Sequence, residues 1–528
     1  MSTSTPNVLP GSQRELELAE SLRKVFKELA DSVDYVSVPV YTWNYECAIT
    51  VGDVEKPCAL LPYSSGVELD TGPNGVIKAP YEELLEKDLA GKIVLMEYPK
   101  KPEELRVAIY SLARKSPEAI VLVPGNYLKA DVVLGSPGFS RAPSVPLHIP
   151  VLSVDSETAL AMLEKRFSIT ASHRLERGSS RILLARVNGS GENDVHVVAH
   201  HDALLGSPES ASSSLLPRLL EKARRADLPV NLVVVSYTAR DVGDLEFTEY
   251  HYTWGERYLL RILEARGELD KVSYAVALGP LHSTGQLTVH AHPALYDYFA
   301  RLLSRVDFNH MFMESGPYVE HGVAAATITT LPETWIHHNA TTQQGINSVE
   351  AEKLLELLLA LIREIKPGAE WLEKIRKYAE MKLGEARLEV RVAASRLLDA
   401  ASLSRNLGGL REALKAAYVA AYAACTKPLK AYSEASLFSP LSQEMLRAVG
   451  GYLVECRGDV VVCYSEACSP YSPRGSASSK IFIEGYLNYW VNRLKDSVER
   501  AVLRLLCMKE AGGSSGMEEH KNRQVQGL

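Results

Sequence analysis

Apolar and polar positions divide the chain into four stretches of different texture. Residues 12–31 set Leu16, Leu18, Leu22, Val25, Phe26 and Leu29 among charges, a spacing that predicts an amphipathic helix. From about 36 to 180 the texture changes to short β-branched runs broken by Pro and Gly. Runs at 92–96, 119–123 and 149–154 read as strands, and 103–115 as a helix between them. This combination predicts a small α/β or β-rich module.

From 181 to 366, near-continuous apolar runs alternate with amphipathic ones. Strands are expected at 195–199, 231–237 and 273–278, and helices at 215–225, 255–266 and 349–365. Strands apolar on both faces and separated by helices predict a mostly parallel sheet covered on both sides. Ligands of such sheets bind at the carboxyl ends of the strands, so the chemistry is expected just after each strand. Beyond 367 the chain is rich in Ala, Leu, Arg and Glu and reads as a four-helix array at 371–398, 408–424, 440–454 and 481–508. Residues 512–528 are polar and Gly/Ser-bearing and read as a disordered tail. No internal repeat is present.

Composition narrows the class. The 528 residues are 46% hydrophobic and 23% charged, with a net charge of −7, as in a folded multi-domain protein. That charge argues against a nucleic-acid-coating surface. No run approaches the ~18–20 apolar residues of a membrane helix, the most apolar stretch being the amphipathic 354–362. The N-terminus lacks the basic start and apolar block of a secretory signal, so a cytoplasmic protein is expected. Seven cysteines leave at least one unpaired. Cys456, Cys463 and Cys468 lie close together without a CxxC pair and read as buried thiols, as a cytoplasm would leave them. The 7 Gln and 14 Asn are scarce for this length, a pointer to a thermophilic source, where intracellular disulfides do occur.

The chemistry-bearing residues follow the strands of the third stretch. His200-His201-Asp202 comes after the first strand, followed by Gly206 to Ser213 with Glu209. Arg240-Asp241-Val242-Gly243 follows the second, Gly279-Pro280 the third, and Trp335 to Asn339 precedes the closing helix. In order and spacing these segments resemble the zinc aminopeptidases of metallopeptidase family twenty-eight. Asp88 to Val94 and Ile149 to Ser153 look like the two ends of the protease-associated domain that glutamate carboxypeptidase II and the transferrin receptor carry ahead of a helical dimerisation domain.

The resemblance implies a zinc-aminopeptidase-like α/β fold. Residues 1–40 would give the N-terminal helix and first strand, 41–180 an inserted β-rich protease-associated domain, 181–366 the peptidase-like domain, and 367–511 a helical domain that makes a homodimer. In the family, two zinc ions share a bridging carboxylate, each holds a His and another carboxylate, and a Glu acts as general base. Carried over by motif, His200 matches the first His ligand, Asp202 the orienting aspartate and Glu209 the bridging carboxylate. Asp241 matches a further carboxylate ligand, and His337 the last His. Three positions depart: Ser210 replaces an Asn, Gly279 stands where a ligand Asp belongs, and Arg240 stands at the general base. Glu314 to Tyr318 falls where relatives often carry SDHxxF, here without its His.

An arginine cannot be deprotonated in a protein, so Arg240 cannot be a base. A positioned base contributes about 10²–10⁴-fold to rate, so its replacement alone would cripple hydrolysis. A guanidinium ~4 Å from a dication is repelled by about 8 kcal/mol at an effective dielectric near 20. Arg240 paired with Glu209 or Asp241 would replace metal by a salt bridge. Two readings of different class follow: a degenerate zinc-exopeptidase-like protein, a pseudoenzyme or weakly active with at most one metal ion, and an active zinc aminopeptidase or carboxypeptidase acting on short peptides.

Other features read as structural. His290 and His292 alternate on an expected strand with no carboxylate nearby. Ser212 to Ser214 lacks a nucleophile elbow, and Arg224-Arg225 reads as a solvated helix face.

Overall fold

The computed structural model describes residues 8–383 apart from 99–104, 106, 107, 110, 111, 127, 129–146, 205–211, 246–252, 282–285, 309–313 and 331–346; it also describes residue 399 and a hairpin at Val454–Arg457 and Val460–Cys463. The expected helices at 408–424, 440–454 (Val454 apart) and 481–508, the tail and part of the 103–115 helix lie outside the described residues.

Helix α1 (Gln13–Leu29) starts at Ser12, whose hydroxyl accepts from the Glu15 amide. Strand β1 (Ser32–Val51) follows, then β2 (Val54–Pro57), β3 (Ala59–Leu60), β4 (Val67–Thr71), β5 (Val76–Lys78), helix α2 (Tyr81–Leu84), β6 (Ile93–Glu97), β7 (Ala119–Val123), β8 (Val151–Ser153), helix α3 (Ser156–Glu164) and β9 (Phe167–Val187). The second half alternates strands and helices. It comprises β10 (Asp194–His200), α4 (Leu215–Arg224), β11 (Asn231–Tyr237), α5 (Trp254–Ala265), β12 (Val272–Leu278), β13 (Thr288–Ala291), α6 (Pro293–Ala300), β14 (Val306–Phe308), α7 (Gly316–Glu320), β15 (Ala324–Thr329), α8 (Ser348–Glu364) and α9 (Ala369–Leu383).

Two sheets organise these elements. The larger runs β14-β13-β15-β12-β10-β11-β9-β1-β2, with β4 also on β9. Its centre, β11, β10, β12 and β15, is parallel. The pairs β1–β2, β1–β9, β9–β11 and β13–β15 are antiparallel, while the edge pair β13–β14 is parallel, so the whole sheet is mixed rather than mostly parallel. The reason is connectivity. Crossover helices demand parallel neighbours at the centre, whereas β1 and β9 pair along their full length, from Ser32 opposite Arg186 to Val51 opposite Phe167. The second sheet, β3-β8-β7-β6-β5, is built by the chain between β1 and β9 and has its own core around Leu60, Leu95 and Val121.

Every residue of β10, β11 and β12 is buried, which explains their largely apolar sequence. One sheet face is covered by α1, α4, α6, α8 and α9, the other by α5 and α7. Helix α8 alone buries Leu354, Leu355, Leu358, Leu359, Leu361 and Ile362, each stabilising by about 1.5–3 kcal/mol. Among the described residues no helix is long and apolar enough to cross a membrane.

Three further expectations need correction. Cys47 and Cys58 form a disulfide, so the cysteines are not all thiols. They stand one step beyond the Ala48–Pro57 pair of β1 and β2, directly opposite each other, where cross-strand Cβ atoms lie within bonding reach. His292 does not share a strand with His290. It caps α6, its Nδ1 accepting from the Ala294 amide at 3.0 Å. The hairpin of β16 (Val454–Arg457) and β17 (Val460–Cys463) also places strands inside the stretch read as a helical array. Its Val-rich, Cys-bearing residues favour the extended backbone.

Candidate functional site

The carboxyl ends of β10, β11 and β12 converge, and the residues that follow them are buried together. His200 ends β10, with Asp202 two residues on; they are 1% and 4% exposed. His200 Nδ1 lies 3.2 Å from Asp202 Oδ1. The adjacent His201 points elsewhere. Its ring nitrogens lie 2.9 Å from Ser236 Oγ and 2.8 Å from Glu15 Oε1. His200 is therefore the histidine of the pair that faces the site.

Arg240 is turned inward at the end of β11. Ala239 before it adopts φ +58°, a left-handed conformation that bends the chain off the strand. The Arg240 amide donates to Asp202 Oδ2 at 3.0 Å. Its guanidinium donates to Glu314 Oε1 from Nε at 3.1 Å and Nη2 at 2.8 Å. Through Nη1 it also donates to both oxygens of Asp241, at 3.1 and 3.2 Å. The expected salt bridge between Arg240 and Asp241 is present, and Glu314 is a partner the sequence reading did not assign.

Gly279 explains why Glu314 fits. A Cβ at Gly279 would lie 2.9 Å from Glu314 Oε2 and 3.3 Å from its Cδ. The absent side chain thus leaves the space that the Glu314 carboxylate uses. Ser212, one of the serines dismissed as nucleophiles, donates to the Gly279 carbonyl at 2.5 Å.

A second unforeseen carboxylate enters from α5. Glu256 is fully buried in the first turn of that helix, with Oε1 3.3 Å from His200 Nε2. The helix end reaches the site because Gly255 packs on β11's end: a Cβ there would lie 2.1 Å from the Thr238 carbonyl oxygen. Burial alone would lower the His200 pKa, but the Glu256 and Asp202 carboxylates outweigh it and hold it up at about 10. Burial raises the Glu256 pKa, and the His200 charge offsets part of that rise. Beneath this pair a neutral chain runs inward. Tyr237 and Tyr318 hydroxyls lie 2.8 Å apart, and Tyr318 lies 3.0 Å from His196 Nδ1, whose pKa burial pushes down to about 3. A sequence signal for Glu256 existed only as an acidic residue at a helix start, which most helices carry.

The loop after Arg240 is tied to the second sheet. Gly243 donates its amide to the Tyr63 hydroxyl at 2.8 Å, with Tyr63 itself at φ +62°. Of the sequence-expected residues, His200, Asp202, Arg240 and Asp241 come together, whereas Glu209 and His337 lie outside the described residues.

No family model matches the sequence, and no curated protein matches it. Solved structures do. BSAP, a zinc aminopeptidase from Bacillus subtilis, superposes with a TM-score of 0.50 at 14% identity, over 69% of this chain and 92% of its own. A peptidase M28 precursor from Shewanella amazonensis SB2B superposes with a TM-score of 0.50 at 16% identity, over the same shares. The fold is that of the zinc aminopeptidases. That fold carries zinc in BSAP, so the fit of zinc to these residues matters. The described residues alone do not make up the ligand set of a zinc pair, Glu209 and His337 lying outside them. Arg240 holds Asp241 in a bidentate contact, Gly279 offers no donor, and among the described residues no three His, Cys, Asp or Glu side chains lie at metal-ligand spacing.

Proposed function

We propose that this protein is a non-hydrolytic relative of the zinc exopeptidases, holding at most one metal ion, whose fold serves ligand binding or assembly. The observation that carries this reading is the guanidinium of Arg240, held between Glu314 and Asp241. It is a fixed cation where the resemblance places a general base, and its partners consume the carboxylate capacity that metal would need. A buried arginine so engaged accepts no proton from water and repels a nearby dication.

The lobe between β1 and β9 is assigned as a protease-associated domain, within the division 41–180, 181–366 and 367–511. The support is its position and its own five-stranded sheet. Residues 367–511 are assigned to homodimerisation, the ligand is a short peptide, and no nucleic acid is bound. A thermophilic cytoplasm suits the scarce amides and the Cys47–Cys58 disulfide together.

An aminoacyl-anilide assay with added Zn²⁺, Co²⁺ or Mn²⁺ tests the reading. No turnover above buffer is expected. Turnover that disappears in His337→Ala would establish the active peptidase instead.

A further inference from the structure

The disulfide stands where the chain passes from one sheet to the other. Strand β2 ends at Pro57 in the larger sheet and β3 begins at Ala59 in the second, so Cys58 lies at the crossing. Its partner Cys47 is on β1 and packs, with Trp43, on the core of the second sheet. The same two segments touch again further along, where the Trp43 and Tyr63 rings meet edge to face with centroids 5.5 Å apart.

Tyr63 is the residue through which this lobe reaches the site. Its carbonyl accepts from the Leu147 amide at 2.7 Å, within the lobe. Its hydroxyl accepts from the Gly243 amide at 2.8 Å, just past Arg240 and Asp241. A tyrosine at φ +62° holds a costly backbone conformation, which persists only where its surroundings over-determine it. Those surroundings include the Trp43 ring and, through Cys58, the disulfide. The two sulfurs also differ in access. Cys58 is 4% exposed, whereas Cys47 is only partly buried, next to the edge strand β2.

We infer that the Cys47–Cys58 disulfide is a redox latch on the site. Closed, it holds Tyr63 against Gly243; open, it releases that contact and loosens the turn that carries Arg240 and Asp241. The reductant is a dithiol of the thioredoxin type. One of its thiolates attacks the Cys47 sulfur, the S–S bond breaks, and its electron pair leaves on Cys58. The second thiol then displaces Cys47 from the mixed disulfide. The reductant ends as a disulfide, and its two protons end on Cys47 and Cys58. The latch holds whether or not the site hydrolyses peptides, so it stands apart from the non-hydrolytic reading.

Amide hydrogen exchange on the full chain tests it, before and after treatment with dithiothreitol. Alkylation should leave Cys47 and Cys58 unmodified before reduction and modify both after it. On reduction the Gly243 amide should exchange about five- to tenfold faster, the worth of one hydrogen bond. The amides of β10, β11 and β12 should keep their rates. The double variant Cys47→Ser, Cys58→Ser should show the fast Gly243 rate with or without dithiothreitol. Tyr63→Phe keeps the ring and removes the acceptor, so it should show the fast rate in both states. Equal Gly243 rates in the oxidised and reduced parent would overturn the latch. An acceleration shared equally by β10, β11 and β12 would also overturn it, since that reports lost global stability. Alkylation of Cys47 and Cys58 without reductant would do the same.

Discussion

Glu314 places its carboxylate in the space that Gly279 leaves open, and from there takes two hydrogen bonds from Arg240. Three positions far apart in sequence thus fit one another: Gly279 has no side chain, the Glu314 carboxylate takes up that space, and the Arg240 cation lies beside it.

Removing the cation should therefore be costly. Arg240→Ala removes the guanidinium that the buried Glu314 carboxylate binds, and breaking a buried pair in this way destabilises by about 3–5 kcal/mol. Urea denaturation of the variant checks it; a loss below about 1 kcal/mol would mean that water already satisfies this carboxylate.

Restoring a side chain at Gly279 should clash. Gly279→Asp brings a Cβ to 2.9 Å from Glu314 Oε2 and sets carboxylate against carboxylate. Overpacking of this kind costs about 1–3 kcal/mol. Glu314→Ala in the same chain should relieve the clash, so the double variant should be more stable than the sum of the singles predicts. A coupling of at least about 0.5 kcal/mol in the cycle is the expected sign of contact.

The N-terminal helix should confer an acid-sensitive component. Burial alone would raise the Glu15 pKa, but hydrogen bonding to His201 and its charge, with help from Ser180 and Thr238, lower it below 4.5. A carboxylate depressed on folding contributes stability that is present above the unfolded value and lost as pH falls through the folded one. Stability of the parent should drop as pH falls below about 4.5, and Glu15→Gln should flatten that drop. An unchanged pH profile in the variant would remove Glu15 from the account.

The Cys47–Cys58 disulfide spans 11 positions and joins β1 to the strand leading into the second sheet. Closing a loop of that size in the unfolded chain contributes about 3 kcal/mol. The double variant Cys47→Ser, Cys58→Ser should lose about that much, measured against the parent without reductant. If adding reductant leaves the parent's denaturation midpoint unmoved, the bond contributes nothing.

The sequence determined the strands and the place of the chemistry. β10, β11 and β12 are buried on both faces, so most of their residues are apolar, and such runs are visible in one dimension. Because the chain leaves a parallel sheet at the strand ends, His200, Asp202, Arg240 and Asp241 could be placed around one point from their offsets to those strands. The 20-residue β1 was not legible, because its face alternates irregularly between buried and exposed and its length is set by pairing with β9. The Cys47–Cys58 bond depended on the same register. Only the tertiary structure decided the partners of the two site cations. Glu314 lies 74 residues from Arg240, and Glu256 enters from a helix whose approach depends on Gly255. Periodicity reports which face of an element is buried. It does not report which buried charge from a distant segment will meet another, because that depends on how closely the packed elements approach.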